Sequence, residues 1–198
     1  MKTVKLVAGI IIFACLLSGC KALGQKTDAS GPIRSSGFES DSHTARKIKQ
    51  KLSREPRPPV AIAITEKISG EPSRRLFAET TLHYYLSYCG FPVKDGENAL
   101  LREYAEFYFT DKPRDFPLTL TSKYYIIGVA SAEPGEDQSG LTGAKAELEI
   151  YALDRQGRVF YGRKVRTESL ALSLESAEIK ALKVAVSEAA VQILPMLK

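Results

Sequence analysis

The sequence predicts an α/β (α+β) fold: a single mixed-sheet domain with helices packed on the sheet. Three observations predict it. Val60-Ala-Ile-Ala-Ile64 and Tyr124-Tyr-Ile-Ile-Gly-Val-Ala130 are short, nearly continuous apolar runs rich in β-branched or aromatic residues, as buried strands are. Residues 144–152 alternate apolar and polar side chains, and a turn leads from them into a second alternating run at 159–165, which makes a hairpin with one wet face. Between and after these stretches, apolar residues recur three and four apart, the period of amphipathic helices. The expected element order over residues 59–198 is β-α-β-α-β-β-β-α.

The chain opens with Lys2 and Lys5, an apolar run over residues 6–17, and then Leu17-Ser18-Gly19-Cys20. A basic start, a short apolar centre and small residues at the end compose a secretory signal, and the run is too short to span a bilayer comfortably. Its Leu-Ser-Gly-Cys end resembles the bacterial lipobox. That resemblance implies that residues 1–19 are a signal peptide and that Cys20 is lipidated with palmitate-class chains, which hold a protein to a membrane far more firmly together than singly. Lys21 follows rather than an aspartate. By resemblance to enterobacterial lipoproteins, this implies sorting to the outer membrane, facing the periplasm.

Residues 20–58 read as a lipidated, flexible basic tether. Gly, Ser, Lys and Asp dominate its first part, and Leu23, Ile33 and Phe38 bury too little apolar surface to offset the entropy of ordering it. The run Arg46, Lys47, Lys49, Lys51, Arg54, Arg57 follows, with a short helix around residues 44–53 carrying Ile48 and Leu52 on one side. Two readings stay open for that run: a solvated linker, or attraction to anionic headgroups or cell-wall polymer. Pro56, Pro58 and Pro59 stiffen the entry to the domain.

In the domain, Val60–Ile64 is a buried strand and Ser69-Gly70-Glu71-Pro72 is turn chemistry. A helix over residues 73–88 carries Ala78, Leu82, Tyr85 and Cys89 on one stripe, and Gly90 stops it. Phe91-Pro92-Val93 is a short strand whose proline marks an edge or a start. A second helix covers residues 97–109 with Leu100, Leu101, Tyr104 and Tyr108 at helical spacing, and Asp111-Lys-Pro-Arg-Asp115 breaks it. Tyr124–Ala130 is the central strand. Asp154-Arg-Gln-Gly157 joins the hairpin strands, and Ser173 opens a closing helix with Ile179, Leu182, Val186, Ala189 and Ile193 on its apolar stripe.

The net charge of +5 is unevenly spread. Lys2 and Lys5 belong to the signal; residues 21–58 hold nine basic and four acidic side chains, and residues 59–198 hold 17 and 19. The basicity belongs to signal and tether, so it gives no ground for nucleic-acid binding. Cys15 leaves with the signal, and Cys89 stands alone once Cys20 is acylated, so it reads as a small buried residue at a helix end. His43 and His83 are too few and too far apart for a metal site. No phosphate-cradling glycine loop or nucleophile elbow is present. Glu147 and Glu149 share a face with Lys145 and read as solvated sheet surface; Glu133, Glu136 and Asp137 lack the spacing of a calcium loop. The residues therefore name no catalytic group, no cofactor and no metal.

Three segments carry a family resemblance: Val60-Ala-Ile-Ala-Ile64; Tyr124-Tyr-Ile-Ile-Gly128; and Ala146-Glu-Leu-Glu-Ile-Tyr-Ala-Leu-Asp-Arg-Gln-Gly-Arg-Val159, followed by the Ala-rich closing helix. Over residues 59–198 the chain resembles bacterial envelope lipoproteins that share the fold of the TolB N-terminal domain, the penicillin-binding-protein activators and curli-secretion lipoproteins among them. Lys123 stands where that group carries an acidic residue. Family members act by protein contact. The resemblance thus implies a non-enzymatic, membrane-anchored accessory or scaffolding factor with an envelope protein as partner, and it carries over no catalytic residue. The alternative from the residues is a periplasmic small-ligand-binding or hydrolytic lipoprotein with a pocket under Tyr84, Tyr104 and Tyr108. Those three tyrosines are the candidate interaction surface; the aromatic cluster around Tyr104 and Tyr108 also reads as core packing.

Overall fold

A computed structural model describes residues 36–52, 55–110 and 115–198, with side chains from Ser42 onward. The signal peptide, Cys20, the first part of the tether and residues 111–114 lie outside the described residues. No helix among the described residues is long and apolar enough to cross a membrane.

Five strands form one mixed sheet in the order β2-β1-β3-β4-β5. They are β1 (Val60–Ile68), β2 (Glu71–Pro72), β3 (Tyr124–Pro134), β4 (Thr142–Leu153) and β5 (Val159–Ala171). Only the β1–β3 pairing is parallel, and the two helices between those strands make the crossover that parallel neighbours require. The helices are α1 (Ser36–Lys51), α2 (Phe77–Tyr88), α3 (Asn98–Tyr108) and α4 (Leu174–Ile193). The predicted single mixed sheet with packed helices is the architecture observed.

The sheet has a core on each side. Val60, Ile62 and Ile64 of β1, with Ile126, Leu148 and Ile150, face α2 and α4; Ala61, Ala63, Tyr125, Ile127 and Leu153 face α3. The period of two along each strand thus sorts its residues between two helical layers, which is why β1 and β3 read as continuously apolar. β4 alternates more visibly because α3 packs on β1 and β3 and leaves much of β4 and β5 on that side uncovered.

Local chemistry sets the element ends. Ser173 caps α4, its hydroxyl accepting from the Ser176 N–H at 3.3 Å. Asp154 holds the β4–β5 turn by accepting from the N–H groups of Gln156 (2.8 Å) and Arg158 (3.0 Å), and Gly157 takes φ +76°. α2 starts at Phe77 rather than 73. Its N-cap position, Leu76, has no capping side chain, and the buried Glu66 of β1 does that work, accepting from Ala78 N–H at 2.7 Å. Pro72, at the end of the expected turn, pairs with Lys67 in β2. The strand expected at Phe91-Pro92-Val93 contributes one parallel bridge, Val60↔Val93.

The N-terminal boundary differs from the sequence reading. A flexible tether to residue 58 is not what the structure has over α1. Ala45 and Ile48 are fully buried and Leu52 packs beside them, spaced three and four apart against the α2–α4 layer. Burying an isoleucine side chain contributes roughly 2 kcal/mol, enough to dock a helix whose outer face is basic. α1 is therefore part of the packed unit. Cys89, at the end of α2, lies under α1 with its thiol 4.0 Å from the Ala45 carbonyl, and burial pushes its pKa up to about 11. It is a packed thiol, as its place in the sequence suggests.

Candidate interaction surface

The structure does not bring Tyr84, Tyr104 and Tyr108 together. α2 and α3 lie on opposite faces of the sheet, so Tyr84 borders one core and Tyr104 and Tyr108 the other. Tyr104 is 7% exposed, with its ring 5.1 Å from Phe116 and 6.1 Å from Tyr108 between centroids; Tyr108 lies 5.3 Å from Tyr151. Burial raises the pKa of both hydroxyls. Tilted and edge-to-face rings at these spacings are packed core, so the described residues form no shared pocket under the three tyrosines. Tyr84 instead lines a groove of about 540 Å³ with Leu76, Phe77, Thr80 and Thr81, flanked by Arg75 and Lys183.

The two edges of the sheet are treated differently. Along β1, the backbone groups of the even-numbered residues point away from β3, and nearly every one meets a partner. Val60 N–H donates to Pro92 O (2.9 Å) and Val60 O accepts from Lys94 N–H (2.9 Å). The Asn98 amide, with its NH2 turned to the strand, donates to Ile62 O at 3.0 Å. Ile64 N–H donates to the Glu79 carboxylate at 2.8 Å, and Ile64 O accepts from the Arg102 guanidinium at 3.0 Å. Glu79 and Arg102 are themselves joined by two bonds of 2.8 and 2.9 Å. Glu66 O accepts from Ser73 N–H at 2.8 Å, and β2 pairs with Lys67 and Ile68. Side chains of α2 and α3 thus take the place of the missing strand. No single-sequence pattern announced this. The signal was an acidic residue in α2 and a basic one in α3, each on the side of its helix next to the apolar stripe.

The other edge is β5, 13 residues long. Among the described residues no strand pairs with its outer side. Beside it, the sheet face not covered by α3 is lined by ions. Glu147 accepts from Lys164 (2.5 Å) and Arg166 (2.7 Å), which hold its pKa below the ordinary value, and Lys145 lies 3.5 Å from Glu168. Exposed pairs of this kind stabilise little. They leave a wet, charged surface, as expected for Lys145, Glu147 and Glu149. Tyr151 marks where the aromatic cluster ends and the charged face begins. Its ring occupies the space a Cβ at Gly162 would need, 2.6 Å away, so this cross-strand position requires glycine.

No protein-family model matches the chain, and no curated protein matches it. Among solved structures, it is similar to the hypothetical protein CT253 from Chlamydia trachomatis, at 12% identity and a TM-score of 0.49, over 71% of this chain and 97% of that one. Lipoprotein GNA1162 from Neisseria meningitidis is similar at 13% identity and TM-score 0.39, over 69% and 99% of the two chains. A minor lipoprotein from Acinetobacter baumannii is similar at 12% identity and TM-score 0.37, over 69% and 89%. Two of these three are bacterial lipoproteins. Likenesses at this level assign no family, and the resemblance to TolB N-terminal domains rests on the sequence motifs alone.

Proposed function

We propose that the chain is a lipid-anchored, non-enzymatic accessory factor that presents this body to an envelope protein partner. The observation that carries the reading is the asymmetry of the sheet: one edge is closed by dedicated side chains, while no described residue covers the other edge or the face beside it. The Leu-Ser-Gly-Cys20 end of the signal supports anchoring, and Lys21 supports an outer-membrane site facing the periplasm. The test is in-cell photo-crosslinking of the lipidated protein, with the crosslinker at Glu149 on the open face and, separately, at the exposed Glu168 on β5. A single dominant envelope protein recovered from either position supports the reading. Recovery of the bait alone from both overturns it.

The groove at Tyr84 favours a second reading, a periplasmic lipoprotein that binds a small apolar anion. Its apolar floor and flanking Arg75 and Lys183 match such a molecule. Titration with a fluorescent fatty acid tests it: saturable binding lost in Tyr84→Ala supports it, and no binding removes it.

A further inference from the structure

We propose that the outer edge of β5 accepts an extended, acidic segment of the partner protein as a sixth strand. This rests on the protein-docking reading above and names the place and the chemistry of contact.

The direction of the backbone groups follows from the ladder. Even-numbered β1 groups point outward, so odd-numbered ones bond β3; carried across the registers, odd-numbered β5 residues bond β4 and even-numbered ones face out. The carbonyl of Leu170 confirms the parity, since it accepts from the Lys180 ammonium at 3.3 Å on the outer side. Gly162, Lys164, Arg166 and Glu168, beyond the bulge at Phe160, therefore turn their N–H and C=O groups away from β4, over a span of about 20 Å at roughly 3.3 Å per residue. Unlike those of β1, these groups meet no helix side chain among the described residues. A strand of this length with a free edge is a template for another extended chain.

Charge selects the occupant. From Arg158 to Ala171 the strand and its entry carry Arg158, Arg163, Lys164 and Arg166 against Glu168 alone. A second copy of β5 laid antiparallel would bring these cations opposite one another, and like charges facing across a strand pair are destabilising. Lys164 and Arg166 stand on the open face two residues apart, the spacing of same-side residues in an incoming strand. Glu147 holds them from the β4 side, which leaves their outer sides to carboxylates spaced two apart. The same cations explain why an open edge need not draw copies of the chain together.

The experiment uses the full chain in detergent micelles and four eight-residue peptides: alternating Val and Glu, alternating Val and Lys, and two versions of the first peptide N-methylated on alternate amides, one in each phase. Binding is read by fluorescence anisotropy and by amide hydrogen exchange. The expected result is saturable binding of the acidic peptide, slowed exchange at Gly162, Lys164 and Arg166, and affinity at least about tenfold weaker for the lysine peptide and for one N-methylated phase. Lys164→Pro removes an outward N–H that the β4 ladder does not use, so it leaves the melting temperature near wild type and lowers affinity about tenfold. Equal binding of all peptides, or no change in exchange at β5, overturns the proposal. So does a dimer mass with β5 protected without any peptide. A partner crosslinked in cells from Glu149 alone, with β5 indifferent to the acidic peptide, overturns this proposal and leaves the docking reading standing.

Discussion

Arg102→Met tests the side-chain closure of β1 directly. The guanidinium donates to Ile64 O at 3.0 Å and grips both oxygens of Glu79, whose carboxylate in turn accepts from Ile64 N–H. Methionine keeps the apolar stem and the volume but removes every donor. A strand carbonyl then loses its partner, and a carboxylate in a poorly solvated site loses its counter-charge and keeps the Ile64 N–H. Breaking a fully buried pair from one side costs about 3–5 kcal/mol. Glu79 and Arg102 keep 14% and 26% of their side-chain exposure, so solvent screens part of that, and the lower end, about 3 kcal/mol, is expected. At roughly 2–4 °C per kcal/mol for a body of this size, the melting temperature falls by about 6–12 °C. Urea denaturation followed by far-UV circular dichroism measures the loss. A double-mutant cycle with Glu79→Gln then isolates the coupling, expected at about 1–3 kcal/mol. A loss below about 0.5 kcal/mol for Arg102→Met, or strict additivity in the cycle, would refute the reasoning, because the bonds would then be replaceable by water.

Three further outcomes are expected. Glu66 is buried, and burial raises its pKa above the ordinary 4.5 despite the Ala78 N–H bond; a raised carboxyl contributes stability that is full below the unfolded value and lost as pH rises through the folded one. Urea midpoints should therefore show Glu66→Gln gaining on wild type as pH climbs above 4.5, and a constant difference across that range would contradict it. Tyr104→Ala should cost about 3 kcal/mol, the cost of emptying an aromatic core site, while the half-buried Tyr84→Ala should cost less than about 1 kcal/mol; equal losses would return the three tyrosines to one class. Ile48→Ala should cost about 2–3 kcal/mol and expose Cys89 to iodoacetamide, whereas an unchanged denaturation midpoint would restore the view of this segment as tether.

Most of the fold was legible because burial imposes period on sequence. β3 and the β4–β5 hairpin follow from unbroken or alternating apolar runs, and α4 from a stripe at three and four. What escaped depended on partners distant in the chain. Phe91-Pro92-Val93 has strand composition, yet it supplies only the pairing around Val60, because the chain turns at once into Asp95–Glu97 and α3. α1 reads as linker because five of its last six residues are polar or charged; two buried side chains, Ala45 and Ile48, decide its place, and two are too few to set a period. Chemistry groups the three tyrosines, whereas the sheet between α2 and α3 divides them. Edge and centre are properties of strand order, which no single strand encodes. Only the crowding of Arg163, Lys164 and Arg166 around the buried Val165 hinted that β5 is an edge.

The closure of β1 also explains why the sheet is lopsided. After α2, Gly90 at φ +83° returns the chain to β1, and Pro92 and Lys94 satisfy Val60. A continuing strand would have covered Ile62 and Ile64 in the ordinary way. The chain leaves instead for α3, and Asn98 and Arg102 reach back from successive turns of that helix, four residues apart, to carbonyls two residues apart on the strand. One helical turn rises about 5.4 Å and two strand residues about 6.6 Å, so the two repeats stay in step over this distance and would drift beyond it. That mismatch limits side-chain capping to a short edge. It serves β1, of which only the middle needs covering; it would fail along the 13 residues of β5, where only another extended chain can keep register with the ladder.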